Sequence, residues 1–231
     1  MDSVWFVRPG PNEELRMSMR SAHAHVGVEN VWIVGDPPEW YTGPRIPGNR
    51  FGDKWRNVYD NVRIIAEHPD LPDRVAVWND DFFALAPATI EMTYRGPLDD
   101  QIEKLVRRLG SEWARSLIQT RSYLRRQGIR DSVSYELHRP FPIVREHMAK
   151  VLAGAARVAP HNPPQWRTLY GNLAPHEGGR QVERDTKRSR HTLAPIPGDP
   201  WVSTDDGAYY RGFRIHIDHL FPEPSPWERG R

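Results

Sequence analysis

Cysteine is absent from the 231 residues, which excludes disulfides and cysteine-based zinc sites at once. That absence is compatible with a reducing compartment. Long apolar runs are missing too, since no stretch approaches the roughly 20 residues that a membrane span needs. The opening Met1-Asp2-Ser3-Val4-Trp5 has neither the basic start nor the apolar run of a signal peptide, so a cytoplasmic protein is expected. Charge of one sign does not dominate either: 32 Lys and Arg face 30 Asp and Glu, a net charge of +2, which is a weak pull on a polyanion.

What is present is a globular composition. Hydrophobic residues make up 38% and charged residues 27%, and a mean hydropathy of −0.70 describes a polar protein around one core. Nine Trp, eight Tyr and seven Phe argue against disorder, because disordered chains are poor in aromatics.

Residues 3–7 form an apolar run that breaks at Arg8-Pro9-Gly10-Pro11, a strand entering a loop. Asn12 offers a helix N-cap, with Glu13 and Glu14 in the first turn where the helix dipole favours carboxylates. Leu15, Met19 and Ala22 then share one face. A second buried strand, 30–35, closes at Asp36-Pro37-Pro38. After a Pro- and Gly-rich loop (42–52), Asp53 opens an amphipathic helix with Trp55, Val58, Tyr59, Val62 and Ile65 at helical spacing. The third strand, 74–78, runs straight into Asn79-Asp80-Asp81. This alternation predicts a Rossmann-like α/β domain, with a mostly parallel sheet flanked by crossover helices. Downstream, 99–109 and 112–127 read as basic helices, 132–137 as a strand, and 144–156 and 164–172 as helices. Residues 174–200, rich in Gly, Pro and charge, predict a long loop or flexible flap, and 212–220 a last strand or helix. One domain is expected over 1–220, followed by a Pro-rich tail, 221–231.

Asn79-Asp80-Asp81-Phe82-Phe83 is the most informative local feature. Open α/β sheets bind ligands at the carboxyl ends of their strands. Paired carboxylates there could hold a Mg²⁺ or Mn²⁺ that neutralises a departing diphosphate. Taken alone, two aspartates after a strand more often make a turn or helix cap. His138, in Tyr135-Glu136-Leu137-His138-Arg139-Pro140-Phe141-Pro142, is a candidate general base for a hydroxyl, or a phosphate ligand; a structural histidine beside two prolines is the plainer alternative. Arg167 could fork onto phosphate oxygens or be an ordinary helical arginine. Asp205 and Asp206 form a second acidic pair in a turn. Arg8, Arg16 and Arg20 belong to the first strand–loop–helix unit, where loop amides and guanidiniums could hold phosphates. Pro9, Gly10 and Pro11 match neither the dinucleotide-binding nor the P-loop glycine spacing. The basic residues between Lys104 and Arg130, with the patch 180–190, could touch nucleic acid; interspersed Glu103, Glu112, Glu183 and Asp185 make a solvated face an equal alternative.

Five blocks stand in order along the chain. The first is Val4-Trp5-Phe6-Val7-Arg8-Pro9-Gly10, leading into Asn12-Glu13-Glu14-Leu15-Arg16-Met17-Ser18-Met19-Arg20-Ser21. Val31-Trp32-Ile33-Val34-Gly35 follows, then Asn79 to Phe83, then Leu137-His138-Arg139-Pro140-Phe141-Pro142 with Arg167, then Asp205-Asp206. Together they resemble the Stealth family, the sugar-phosphate transferases of bacterial capsule synthesis and lysosomal-enzyme tagging, and more closely its short branch in phages and actinobacteria. The resemblance implies a GT-A-like fold. It also implies transfer of sugar-1-phosphate, or of the sugar alone, from a nucleotide-diphospho-sugar such as UDP-N-acetylhexosamine to an acceptor hydroxyl.

On that resemblance Asp81, His138, Arg167 and Asp205 are the catalytic residues. Asp80 or Asp81 would hold Mg²⁺ or Mn²⁺, His138 would act on the acceptor hydroxyl, Arg167 would stabilise the phosphate under attack, and Asp205 would complete the pocket. Arg8, Arg16 and Arg20 would bind the donor phosphates and Asn79 would orient the donor. The opening strand lacks the Asp and the Thr-Trp-Val of larger members, and their spacer domains are absent, so neither donor base nor acceptor identity carries over. The acceptor could be a glycan, a protein or DNA. Two other readings stand beside this one: a glycosyltransferase modifying a hydroxymethylated base of phage DNA or a virion protein, and a non-catalytic DNA- or glycan-binding accessory protein.

Overall fold

The computed structural model describes residues 1–49, 54–109, 112–156, 163–176, 178–189 and 196–229. Its first half contains β1 (Ser3–Val7), α1 (Glu13–Val26), β2 (Val31–Gly35), β3 (Arg45–Ile46), α2 (Lys54–Glu67), β4 (Arg74–Asn79) and β5 (Phe82–Ala84). Two short strands, β6 (Thr93–Tyr94) and β7 (Gly96–Pro97), lead into α3 (Leu98–Leu109) and α4 (Glu112–Arg126). β8 (Val133–Ser134), β9 (Phe141–Val144), α5 (Arg145–Ala156) and α6 (Trp166–Leu173) follow. Then come β10 (Arg180–Gln181), β11 (Lys187–Arg188), β12 (Trp201–Thr204), α7 (Asp206–Ala208), a π-type turn (Tyr209–Phe213) and α8 (Arg214–Leu220).

The central sheet has five strands in the order β3-β2-β1-β4-β9. β1 to β4 pair in parallel, with Ser3 opposite both Val31 and Ala76. β9 runs antiparallel along β4 at the edge, where a strand can carry a proline such as Pro142 without losing an inner ladder bond. Burial on both faces explains why β1, β2 and β4 read as unbroken apolar runs. Val4, Val75 and Val77 point to the side covered by α2 and α5, together with Tyr59, Val62 and Met148. Their neighbours Trp5, Ala76 and Trp78 point to the α1 side, against Leu15, Met19 and Ala22. Trp5 and Trp78 stack there with ring centroids 4.7 Å apart. The Trp5 indole donates to Ser18 Oγ at 2.9 Å, and Ser18 Oγ donates to the Phe82 carbonyl at 2.6 Å, tying β1, α1 and β5 into one frame.

The helix start expected at Asn12 is present. Asn12 sits in the left-handed region at φ 43°, ψ 66°, and its side chain accepts the Leu15 N–H. Asp53, expected to open α2, lies outside the described residues, as do positions 177 and 190–195 of the expected flap. The strand expected over 132–137 is confined to β8, because Leu137 N–H turns back to the Tyr135 carbonyl. The described part of 174–200 is not a plain loop. β10 pairs with β6, and β11 pairs with β12. The expected tail is also anchored: Glu228 bridges to Tyr41 and grips two arginines of α1. Among the described residues no helix is long and apolar enough to cross a membrane.

Gly35 ends β2 at φ +124°, and a Cβ there would lie 2.1 Å from the Val7 carbonyl oxygen. Gly35→Ala therefore combines a strained backbone with a clash against β1, and should lower stability by about 3 kcal/mol. In thermal unfolding this corresponds to a Tm roughly 6–12 °C lower; a Tm within about 2 °C of the parent would show that the two strands part without cost.

Candidate active site

β1, β2 and β4 end side by side at Val7, Gly35 and Asn79. The segments leaving these ends enclose a cleft of about 1000 Å³, lined among others by Arg8, Glu14, Asp36, Asn79, Asp80, Asp81, His138, Lys187, Asp205 and Asp206. The chain turns at Asp80-Asp81 and returns at once as β5, which pairs antiparallel with β12 and sets Phe82 opposite Ser203. β11 sets Lys187 opposite the same Ser203. Asp81 Oδ2 therefore accepts from Ser203 Oγ at 2.7 Å and from Lys187 Nζ at 2.5 Å. Asp80 Oδ2 accepts from Asn12 Nδ2 at 2.9 Å, so one amide both caps α1 and holds the acidic turn.

Negative charge is in excess on this wall. Glu14 is pushed up to about 8, first by burial and then by Asp80, Asp81 and Asp206; its hydrogen bond from Thr204 opposes the rise. Asp80 is raised by burial and by Asp81, against Asn12 and Arg8. Among the described residues no three His, Cys, Asp or Glu side chains form a ready-made metal cage. Mg²⁺, however, is commonly held by one or two carboxylates with substrate phosphates completing its shell. The hard oxygens of Asp80 and Asp81, in a cleft whose carboxylates outnumber Arg8, Lys54 and Lys187, fit that pattern.

Across the cleft, His138 Nδ1 meets Asp185 Oδ2 at 2.6 Å, and the His138 backbone N–H donates to Asp185 Oδ1 at 3.0 Å. Burial alone would raise the Asp185 carboxyl, but the hydrogen bonds and charge of His138, with Arg95, hold it down at about 2. The carboxylate fixes the imidazole through Nδ1, and the side chain stays 42% exposed. A second pocket of about 270 Å³ opens on the other side of His138 and shares Lys54, Val58, Asn79 and His138 with the cleft.

The structure thus gathers most of the residues singled out by sequence. Arg8, Asn79, Asp80, Asp81, His138 and Asp205 line the large cleft. Arg8 pairs with Asp206 at 3.1 Å, and Asp205 Oδ1 accepts the Ala208 N–H at 2.7 Å as the cap of α7. Arg167 lines the smaller pocket. Arg16 and Arg20 are a correction: they lie outside the cleft as bound partners of Glu228. Arg20 forks onto Glu228 at 2.8 and 2.7 Å and Arg16 reaches it at 3.2 Å, so their guanidiniums close the C-terminal segment onto α1. The basic helices spend charge locally as well, with Arg121 and Arg125 both on Asp99.

No family model and no curated protein matches the sequence. Solved structures do match the shape. The galactosyltransferase LgtC, in complex with donor and acceptor sugar analogues, gives a TM-score of 0.53 at 9% identity over 97% of this chain and 96% of that chain. An active-site mutant of LgtC gives 0.52 at 9% identity over 98% of each chain. The chain has a GT-A-type fold. At that identity the likeness is one of fold alone. In this GT-A frame the acidic turn after β4 and the His138–Asp185 pair face each other over the carboxyl edge of the sheet.

Sequence reasoning missed Asp185 and Lys187 as site residues, because 180–190 is so densely charged that no residue stands out. Glu14 was read only as a first-turn carboxylate; Asn12, two residues earlier, was the available clue that the loop–helix junction faces Asp80.

Glu14 gives a pH signature. Its carboxyl keeps a proton in the folded state that the unfolded chain has already lost, so stability should fall as pH rises from the ordinary carboxylate range to about 8. Glu14→Gln should flatten that decline in urea unfolding series run in metal-free buffer; an unchanged slope would mean that another group carries it.

Proposed function

We propose that this chain transfers a sugar from a nucleotide-diphospho-sugar, of the UDP-N-acetylhexosamine class, to an acceptor hydroxyl. The observation that carries this reading is the position of His138, oriented by Asp185, between a cleft large enough for a nucleotide sugar and a pocket large enough for one ring. The GT-A-type fold supports it, as does the resemblance to the Stealth blocks.

In the proposed step the acceptor hydroxyl gives its proton to His138 Nε2 and its oxygen bonds to the anomeric carbon. The bond from that carbon to the phosphate oxygen breaks, and the electron pair leaves with the nucleoside diphosphate. Arg8 and Lys187 supply positive charge on the cleft wall for the leaving group, and Asn79 orients the donor. Asp80 and Asp81 would hold Mg²⁺ or Mn²⁺, which when bound neutralises the diphosphate. Asp205 positions the 204–207 turn by capping α7. Attack on the β-phosphorus instead would transfer sugar-1-phosphate and release a nucleoside monophosphate, as the Stealth resemblance implies. A binding module would turn over no donor and would bind DNA with a steep salt dependence.

Incubation with a panel of nucleotide sugars and Mg²⁺ or Mn²⁺ should release a nucleoside diphosphate from at least one donor. His138→Gln should lower kcat by roughly 10²–10⁴-fold, the usual worth of a general base; Asp81→Ala should abolish turnover, and Asp185→Asn should give an intermediate loss. Release of no nucleotide from any donor would refute the proposal, and release of the monophosphate would move the reaction to phosphorus.

A further inference from the structure

Arg167 lies in the first turn of α6 and is only 9% exposed. Its Nε and Nη2 are out of contact with solvent and have no hydrogen-bond partner. The guanidinium is flanked instead by ring faces, 4.8 Å from the Trp166 centroid and 5.7 Å from that of Phe82. Three carboxylates act on it through space, Glu136, Asp81 and Asp185, and the structure directs each of them elsewhere. Glu136 accepts the Thr168 N–H and hydroxyl at 3.0 Å each. Asp185 is bound through both oxygens to His138, and Asp81 holds Lys187 and Ser203. Buried guanidinium donors without partners are costly, and such donors, once desolvated, are strong receptors for carboxylate or phosphate oxygens.

The same pocket has flat apolar walls. Trp55 and Trp113 pack at 5.0 Å between centroids, and Trp166, Leu105 and Leu117 continue the lining. Lys54 and Arg95 add positive charge to a lining that also holds Glu136 and Asp185, whose oxygens are engaged by Thr168 and His138. The volume, about 270 Å³, suits one sugar ring and not a whole nucleotide sugar.

We infer that this pocket is an acceptor site for an anionic sugar, one ring against the tryptophans with its phosphate or carboxylate on Arg167 and a hydroxyl toward His138. The acceptor role rests on the transferase reading above; the anion preference stands on the pocket alone.

Isothermal titration of the full chain with glucose, glucose 6-phosphate and glucuronate tests it. One of the two anionic ligands should bind at least ~10-fold more tightly than glucose, and which one does so separates phosphate from carboxylate. Arg167→Gln should erase the difference while UDP binding in Mn²⁺ stays unchanged, and Arg167→Lys should restore part of it. The wild-type comparison decides even if the buried variants do not fold. Equal affinity for all three ligands would overturn the inference, as would a loss of UDP affinity in Arg167→Gln, which would assign the guanidinium to the donor. Anion preference without any UDP binding would leave the pocket standing and remove the donor reading.

Discussion

The antiparallel register of β5 against β12 is the constraint on which the rest of the site depends. A strand that ended at Asn79 and wandered into a loop would leave the turn at Asp80 and Asp81 without fixed partners. Instead the chain reverses within two residues, and Phe82 and Phe83 are fully buried. The reversal is locked from below by the Trp5–Ser18–Phe82 relay. Because Ser203 faces both Phe82 and Lys187 across the small sheet, residues more than a hundred positions apart converge on one carboxylate. Apolar burial of the phenylalanines and Trp201 supplies the stabilisation that the polar wall lacks.

That polar wall works against folding. Carboxylates removed from water disfavour their charged forms, and the upward displacement of Glu14 and Asp80 records the conflict. Arg8 and Lys187 relieve part of it, and Asn12 does so with a neutral amide. Carboxylates displaced in this way and gathered in a concave region are the electrostatic pattern on which the proposed function draws. The opposite wall is settled: Asp185 is fully engaged by His138 and its carboxylate is favoured.

The parallel core was legible because periodicity and burial speak directly. Valine and tryptophan runs in β1, β2 and β4, the Asn12 cap, and the stripe Val58, Tyr59, Val62 and Ile65 of α2 follow from local chemistry alone. β9 was not legible, since the two prolines around Phe141 mask a four-residue edge strand whose partner lies over sixty residues upstream. β5, β11 and β12 were hidden for a similar reason: each is short, and each is a strand only through its neighbours. Within the site, the acidic turn was visible as carboxylates at a strand end, and His138 as a titratable residue after an expected strand that shrinks to β8. Arg16 and Arg20 misled because their carboxylate partner, Glu228, is supplied by the far end of the chain.

Asp185 and Lys187 stand two residues apart where the chain enters β11, yet they serve opposite walls of the cleft, one steadying the imidazole and the other the acidic turn. In the proposed reaction, proton acceptance and charge compensation would therefore be ganged on a single short span of backbone. Displacing this span would detune both together, so neither half of the chemistry can drift independently of the other during divergence or redesign.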